Sequence, residues 1–304
     1  TTIPTALDNG AELVYRARAE TLIIENDAVQ GAVGYGLKEN GIDRTQPIRI
    51  QAKHTVMACG GINGPGLLLR SKAPDPHHRI GKRTFLHPVP STLADFGTRI
   101  DGFYGAPQSV YSDHFLWTDG ITGAAGFKME VPPLQPSFVA SIGVGHGKSH
   151  SDQMNRLPYL NMMIALIRDG FTEQSQGGTI FLRDDGLPGI DYPVNDYLRE
   201  AVVRATKTMA RVQFAAGAKA VRPIHTNGEF NTTLDKTLQH IDSLDLSINR
   251  MKLGSAHVMG GCAMGEDRAP LSSIAWVNFT TCMDCILWMA PFFPPASVPI
   301  RSFR

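Results

Sequence analysis

Apolar residues fall in short runs over positions 12–58: ELVYRA, TLIIEN, VQGAVGYGL and PIRIQAKHTVMAC, punctuated by Gly31 and the Asn40-Gly41 pair. Runs of this length broken by glycine and Asn-Gly predict strands joined by hairpins. HTVMACGGINGPGLLLRS then predicts a buried strand, a glycine turn and a helix through Leu67–Leu69. Such an element can turn backbone N–H groups toward a phosphate, and it can equally serve tight strand–helix packing. From about residue 89 the texture changes. PSTLADFG, PSFVASIGVG, YLNMMIALIRDG and GGTIFLRDDGLPGIDYPV predict strands between turns rich in Gly, Pro and Asp, with Asp185-Gly186 as a hairpin step. Asn195 and Asp196 cap a long amphipathic helix, DYLREAVVRATKTMARVQFAAG, that ends at Gly217. TTLDKTLQHIDSL predicts a second, shorter helix, and GVGHGKSH at 143–150, without a strand-to-helix context, predicts a mobile loop.

Composition narrows the function classes. A formal net charge of +1 over 304 residues argues against a nucleic-acid binder, which would carry a basic stripe. No uninterrupted apolar stretch is long enough to span a membrane, and no leader is visible, so a cytoplasmic location is the default expectation. The four cysteines are too few for a disulfide framework at this length. Cys282-x-x-Cys285 lacks the second pair, or the histidines, that a zinc site needs, so no metal is expected.

Three stretches stand in order, ACGGINGPGLLLRS (58–71), IGKRTFLHPV (80–89) and HVMGGCAMG (257–265), and together they resemble the glucose–methanol–choline (GMC) flavoprotein oxidoreductases. ACGGINGPGLLLRS (58–71) resembles the family's Gly-Ala-x-x-Ser-Pro-x-x-Leu-Leu signature through Gly61, Pro65, Leu68 and Leu69, with Gly64 in place of the usual Ser. IGKRTFLHPV (80–89) resembles the Gly-x-Asn-Leu-x-Asp-His-Pro turn and keeps Gly81, His87 and Pro88. HVMGGCAMG (257–265) is similar to the segment that holds the family's catalytic histidine; the bacterial cholesterol-oxidase-like and alcohol dehydrogenase branch is nearest. The resemblance implies an α+β chain: a partial FAD-binding α/β domain (1–88, returning at 251–270) interrupted by an antiparallel-sheet substrate domain with helices (89–250). It implies FAD as cofactor, an alcohol or sterol-like small-molecule substrate, and oxidation of the CH–OH group. His257 would take the hydroxyl proton while flavin takes the hydride, and a histidine titrates in the right range for that task. Ala19, Gly60, Gly61, Asn63, Gly64, Pro65, Gly260 and Gly261 are the implied cofactor-binding residues; Cys262 and Met264 are expected to pack. FYGAPQSVYSDHFLW and Glu130 supply aromatics and a carboxylate to the pocket region. Nothing in the sequence names the electron acceptor.

Two departures qualify the resemblance. The family's G-x-G-x-x-G turn, whose backbone holds the FAD pyrophosphate, occurs nowhere in the 304 residues, so the chain reads as the C-terminal portion of a longer protein. Residues 271–304 resemble nothing in the family. Trp288 and Met289 have single codons, and reading from the third base through Ala290 forces Asp-Gly, the start of the family's next motif. A frameshift entering near 269–273 is therefore expected; it would remove the family's second catalytic residue and make Cys282-x-x-Cys285 an accident of translation. Two readings follow: a piece of an FAD-dependent alcohol oxidoreductase, or an inactive remnant that binds flavin weakly or not at all.

Overall fold

The computed structural model describes residues 2–26, 28–106, 108–143, 145–247 and 249–262, and the backbone of 285–287. Met264, Cys282 and nearly all of the expected frameshifted tail lie outside the described residues. In chain order the first elements are α1 (Thr2–Asp8), β1 (Ala17–Glu25), β2 (Ala28–Leu37), β3 (Arg44–Gln51), β4 (Thr55–Met57), α2 (Gly60–Arg70), β5 (Thr84–Phe85) and β6 (Ser91–Asp95). There follow β7 (Tyr111–Ser112), β8 (Phe127–Glu130), α3 (Pro136–Ile142), α4 (Lys148–Asn155), β9 (Leu160–Ile167), β10 (Thr179–Leu182) and β11 (Pro188–Asp191). The last are α5 (Asp196–Ala215), β12 (Ala220–Pro223), α6 (Leu234–Ser243), β13 (Met259–Gly260) and β14 (Cys285–Leu287).

These elements group into two compact units. The first holds the described residues up to Thr84, Gly178–Tyr192, and those from Met259 onward; the second holds Phe85–Gly177 and Pro193–Val258. The sequence places 178–192 with the middle domain, whereas the structure groups that hairpin with the first unit.

In the first unit β1, β2 and β3 form an antiparallel sheet with β2 in the middle. The Asn40-Gly41 signal makes the β2–β3 turn, where Asn40 Oδ1 accepts N–H bonds from Ile42 and Asp43, both 3.0 Å. α2 is tied to β1 through Ser71, whose Oγ accepts from Leu22 N–H (2.8 Å) and donates to Leu67 O (2.6 Å). Arg70 Nε donates to Glu20 O at 2.9 Å. Behind these bonds Leu22, Val29, Met57, Leu67, Leu68, Ala73, Ile80 and Cys262 form one apolar cluster. β10 and β11 pair through the Asp185-Gly186 turn, and Arg70 Nη1 reaches Gly186 O at 3.3 Å. β14 pairs parallel with β4.

The second unit is built on a five-stranded antiparallel sheet of order β12-β6-β9-β8-β7. Its two faces are set by alternation along the strands. Leu93, Leu160 and Met162 face a cluster completed by Leu134, Val139, Leu157 and Ile224. Ala94 and Val221 face the other way, against Ala210 of α5 and Ile241 of α6. Asn195 caps α5 by accepting from Leu198 N–H at 3.2 Å, and Gly217 closes it with φ +98°.

Three local expectations are corrected. PSFVASI forms α3 rather than a strand, because Pro136 sits at its start, where a missing N–H is harmless, and only Val139 is buried. Lys148–His150 of GVGHGKSH open α4, and Gly143, Gly145, His146 and Gly147 lie outside it. Leu13, Val14 and Tyr15 of ELVYRA are exposed and carry no regular structure.

Candidate functional site

His87 and His257 meet in the second unit. Val89 and Gly254 exchange backbone hydrogen bonds of 3.0 Å in each direction, and Ser255 Oγ donates to Leu86 O at 2.6 Å. These contacts lay 254–257 alongside 86–89. Pro88 disfavours the helical region for the residue before it, and His87 takes φ +39°, an uncommon value for a side chain-bearing residue. In that conformation its imidazole turns inward and is 6 % exposed. Its Nε2 accepts the backbone N–H of His257 at 2.7 Å and that of Ala256 at 3.4 Å. The two imidazole rings lie 4.8 Å apart at a tilt of 31°, and His257 itself is exposed.

A nitrogen that accepts N–H bonds must keep its lone pair, so neutral His87 carries its proton on Nδ1. That Nδ1 is buried without a hydrogen-bond partner among the described residues. Burial lowers the His87 pKa to about 4; the nearby His257 ring pushes the same way, and the Glu130 carboxylate opposes them. His87 is therefore neutral at physiological pH. The sequence singles out His87 as a retained motif position but does not reveal this anchoring bond. The sign was available: a histidine held before proline in a turn and, far along the chain, a second histidine in a glycine-rich turn.

The residues implied to hold the cofactor lie in the first unit. Cys59 precedes α2 and makes no side-chain cap bond, and Gly60 has φ +73°. The first N–H groups of α2 are thus left without a capping side chain, and a Cβ on Gly60 would meet nothing within 4 Å. Gly60 and Asn63 are exposed and Gly61 is half-buried, whereas Gly64 and Pro65 are buried. The expected glycine turn is therefore already the helix: Gly64 sits inside α2 with Met57 Cε 3.6 Å from where its Cβ would be. Pro65 has no N–H to give to the carbonyl of Gly61. Gly261, at φ +78°, fits against that place: a Cβ there would lie 2.8 Å from Pro65 Cγ and 2.9 Å from Gly61 O. Gly260 and Gly261 are both buried, and it is Gly261 whose missing Cβ permits this approach. Ala19 is exposed on β1, an edge strand, at a register shift between Ala19 and Thr21. Cys262 packs as expected, and burial pushes its thiol up to about 12. Among the described residues no group of three or more metal-capable side chains occurs, and no helix is long and apolar enough to cross a membrane.

This mixed helix-and-sheet fold is shared with solved oxidases. Pyridoxine 4-oxidase from Mesorbium loti matches with a TM-score of 0.56 at 15% identity, over 89% of this chain and 51% of that one. A formate oxidase variant from Aspergillus oryzae matches with a TM-score of 0.54 at 12% identity, over 92% and 56%. The chain belongs to the GMC oxidoreductase family, whose N-terminal and C-terminal domain profiles match residues 1–89 and 174–278. A GMC-type oxidoreductase of Mycobacterium tuberculosis is 26% identical over 223 residues, covering 72% of this chain and 32% of that protein. A long-chain-alcohol oxidase of Arabidopsis thaliana is 24% identical over 231 residues, covering 71% and 30%. The chain thus spans about a third of the length of these relatives.

Proposed function

We propose that the chain is part of an FAD-dependent oxidoreductase that acts on the CH–OH group of an alcohol, with His257 as the base. The single observation that carries this reading is the 2.7 Å bond from the His257 backbone N–H to a buried, neutral His87. It fixes the backbone of His257 while leaving that ring exposed. Family membership and the alcohol oxidases among the relatives support FAD and an alcohol donor.

The open start of α2 fits an acceptor-rich cofactor, because no side chain among the described residues caps its first N–H groups. Gly60, Gly61 and Asn63 would hold the group there, with Gly64, Pro65, Gly260 and Gly261 supporting them from inside and Ala19 offering edge-strand backbone. When bound, FAD supplies the hydride acceptor. His257 then takes the proton of the substrate hydroxyl. His87 stays neutral and holds the 256–257 backbone; charging it would end its acceptance of the two N–H groups.

The test has two stages. FAD titrated into the purified chain should show saturable fluorescence quenching; no binding would leave the remnant reading standing. His257→Ala in the whole enzyme should lower turnover by about 10²–10⁴-fold with flavin retained. Unchanged turnover would remove His257 from the mechanism.

A further inference from the structure

The helical period of α5 separates two kinds of residue. Leu198, Ala201, Val202, Ala205, Met209 and Ala210 are buried, whereas Glu200, Arg204, Lys207 and Arg211 follow one another at spacings of three and four on the outer stripe. Along this stripe runs a groove of about 540 Å³, bounded on the α6 side by Leu246. Arg199 and Val203 complete its lining. Four cations therefore meet one carboxylate, that of Glu200, on a chain whose 29 Lys and Arg nearly balance 28 Asp and Glu. The proposed oxidation chemistry uses none of these residues.

Two of the four charges are matched within the chain. Lys207 pairs with Asp242 of α6, and Arg199 meets Asp196 at 3.5 Å. The other two are not. The Arg204 guanidinium donates to Ala125 O and stands 5.9 Å from the Phe127 ring, neutral partners that hold the group without cancelling its charge. Arg211 is exposed and has no carboxylate partner among the described residues. Asp245, next to Leu246, accepts from Ser247 Oγ at 2.6 Å and lies 3.9 Å from Arg250. Arg204 and Arg211 stand two turns apart on one face, about 10 Å. A single phosphate or sulfate cannot touch both, so the ligand must be extended and carry several anionic groups. Stacking of bases needs an aromatic face, and no aromatic residue lines the groove. Val203 and Leu246 instead place aliphatic surface beside the charges. We propose that this groove docks an acidic amphipathic helix of a partner protein. Carboxylates seven residues apart on that helix meet Arg204 and Arg211, an aliphatic side chain between them rests on Val203 and Leu246, and a neutral or basic end lies over Glu200.

The probe is a fluorescein-labelled peptide, EAALEAAEAALEAA, followed by fluorescence anisotropy on the intact chain. Its comparisons are the same peptide with glutamine at every glutamate and an oligothymidylate of equal length. The acidic peptide should bind saturably at about 20 mM salt and lose about fivefold or more of its affinity by about 200 mM, where exposed charges are screened. Arg211→Glu, at an exposed position, should weaken it about tenfold. Arg49→Glu makes the same change of charge on the exposed β3 of the first unit and should leave affinity within about twofold. Leu246→Ser should weaken binding about three- to fivefold through the lost aliphatic contact. Absence of saturable binding, equal binding of the glutamine peptide, or equal losses in Arg211→Glu and Arg49→Glu would overturn the proposal. Tighter binding of the oligothymidylate would overturn it in favour of nucleic acid. The readout needs neither flavin nor turnover, so its failure is separate from failure of the proposed oxidoreductase reading.

Discussion

The starts of α2 and α5 show the difference between the two units in miniature. α5 opens with Asn195 in extended backbone, its side chain bonded to Leu198 N–H, followed by Asp196 in the first turn. α2 opens with an uncapped cysteine, a glycine at positive φ and no acidic residue in its first turn. The contrast extends to the surroundings. The second unit's sheet is packed on both faces, with Phe127, Leu160 and Ala94 at 1% exposure or less. In the first unit β3 is exposed along almost its whole length, and Ile50 and Val56 show half or more of their surface. A helix start closed by its own cap and a sheet covered on both faces are spent on stability. Donors and edges left open are available to something else.

The largest effect that would sharpen this comparison lies in the packed sheet. Phe127→Ala should destabilise the chain by about 3–5 kcal/mol through lost burial and a residual cavity. Ile50→Ala on β3 should stay within about 0.5 kcal/mol. Urea unfolding midpoints measure both; comparable losses would dissolve the distinction between a closed and an open unit.

A smaller effect tests the imidazole pair. Because the folded state holds the His87 pKa at about 4, below the usual 6.5, the unfolded chain binds the proton first as pH falls. Stability from this residue is therefore whole above pH 6.5, declines as pH drops toward 4, and changes no further below that. Allowing for solvent screening, the loss is on the order of 2 kcal/mol. His87→Gln should flatten that part of the stability–pH curve. An unaltered slope would mean that His87 is not held neutral.

The sequence was most legible where one local rule decides an element. Asn40-Gly41 and Asp185-Gly186 predicted their turns, and Asn195 with Gly217 bounded α5, because each depends on one residue's side chain or φ. It misled where an apolar pattern had two solutions: PSFVASI alternates well enough for a strand, but Pro136 is better at a helix start. The motif likeness pointed to His257 and to the start of α2. The His87 anchoring bond and the depth of Gly64 and Pro65 were not legible, since they depend on segments about 170 and 200 residues apart being brought together.

The smallest effects return to the two helix starts. Gly60→Ala should cost about 1–2 kcal/mol, wholly from the left-handed backbone, because its Cβ would stand in open space. Asn195→Ala should cost about 1 kcal/mol, the ordinary value of a lost cap. Cys59→Ala stands at the corresponding place in α2 and should change stability by less than about 0.5 kcal/mol, because its side chain makes no cap bond to lose. Thermal midpoints of these three variants decide the matter. If Cys59→Ala proves as damaging as Asn195→Ala, the α2 start is closed by its own residue, and the donors assigned to a cofactor are already in use.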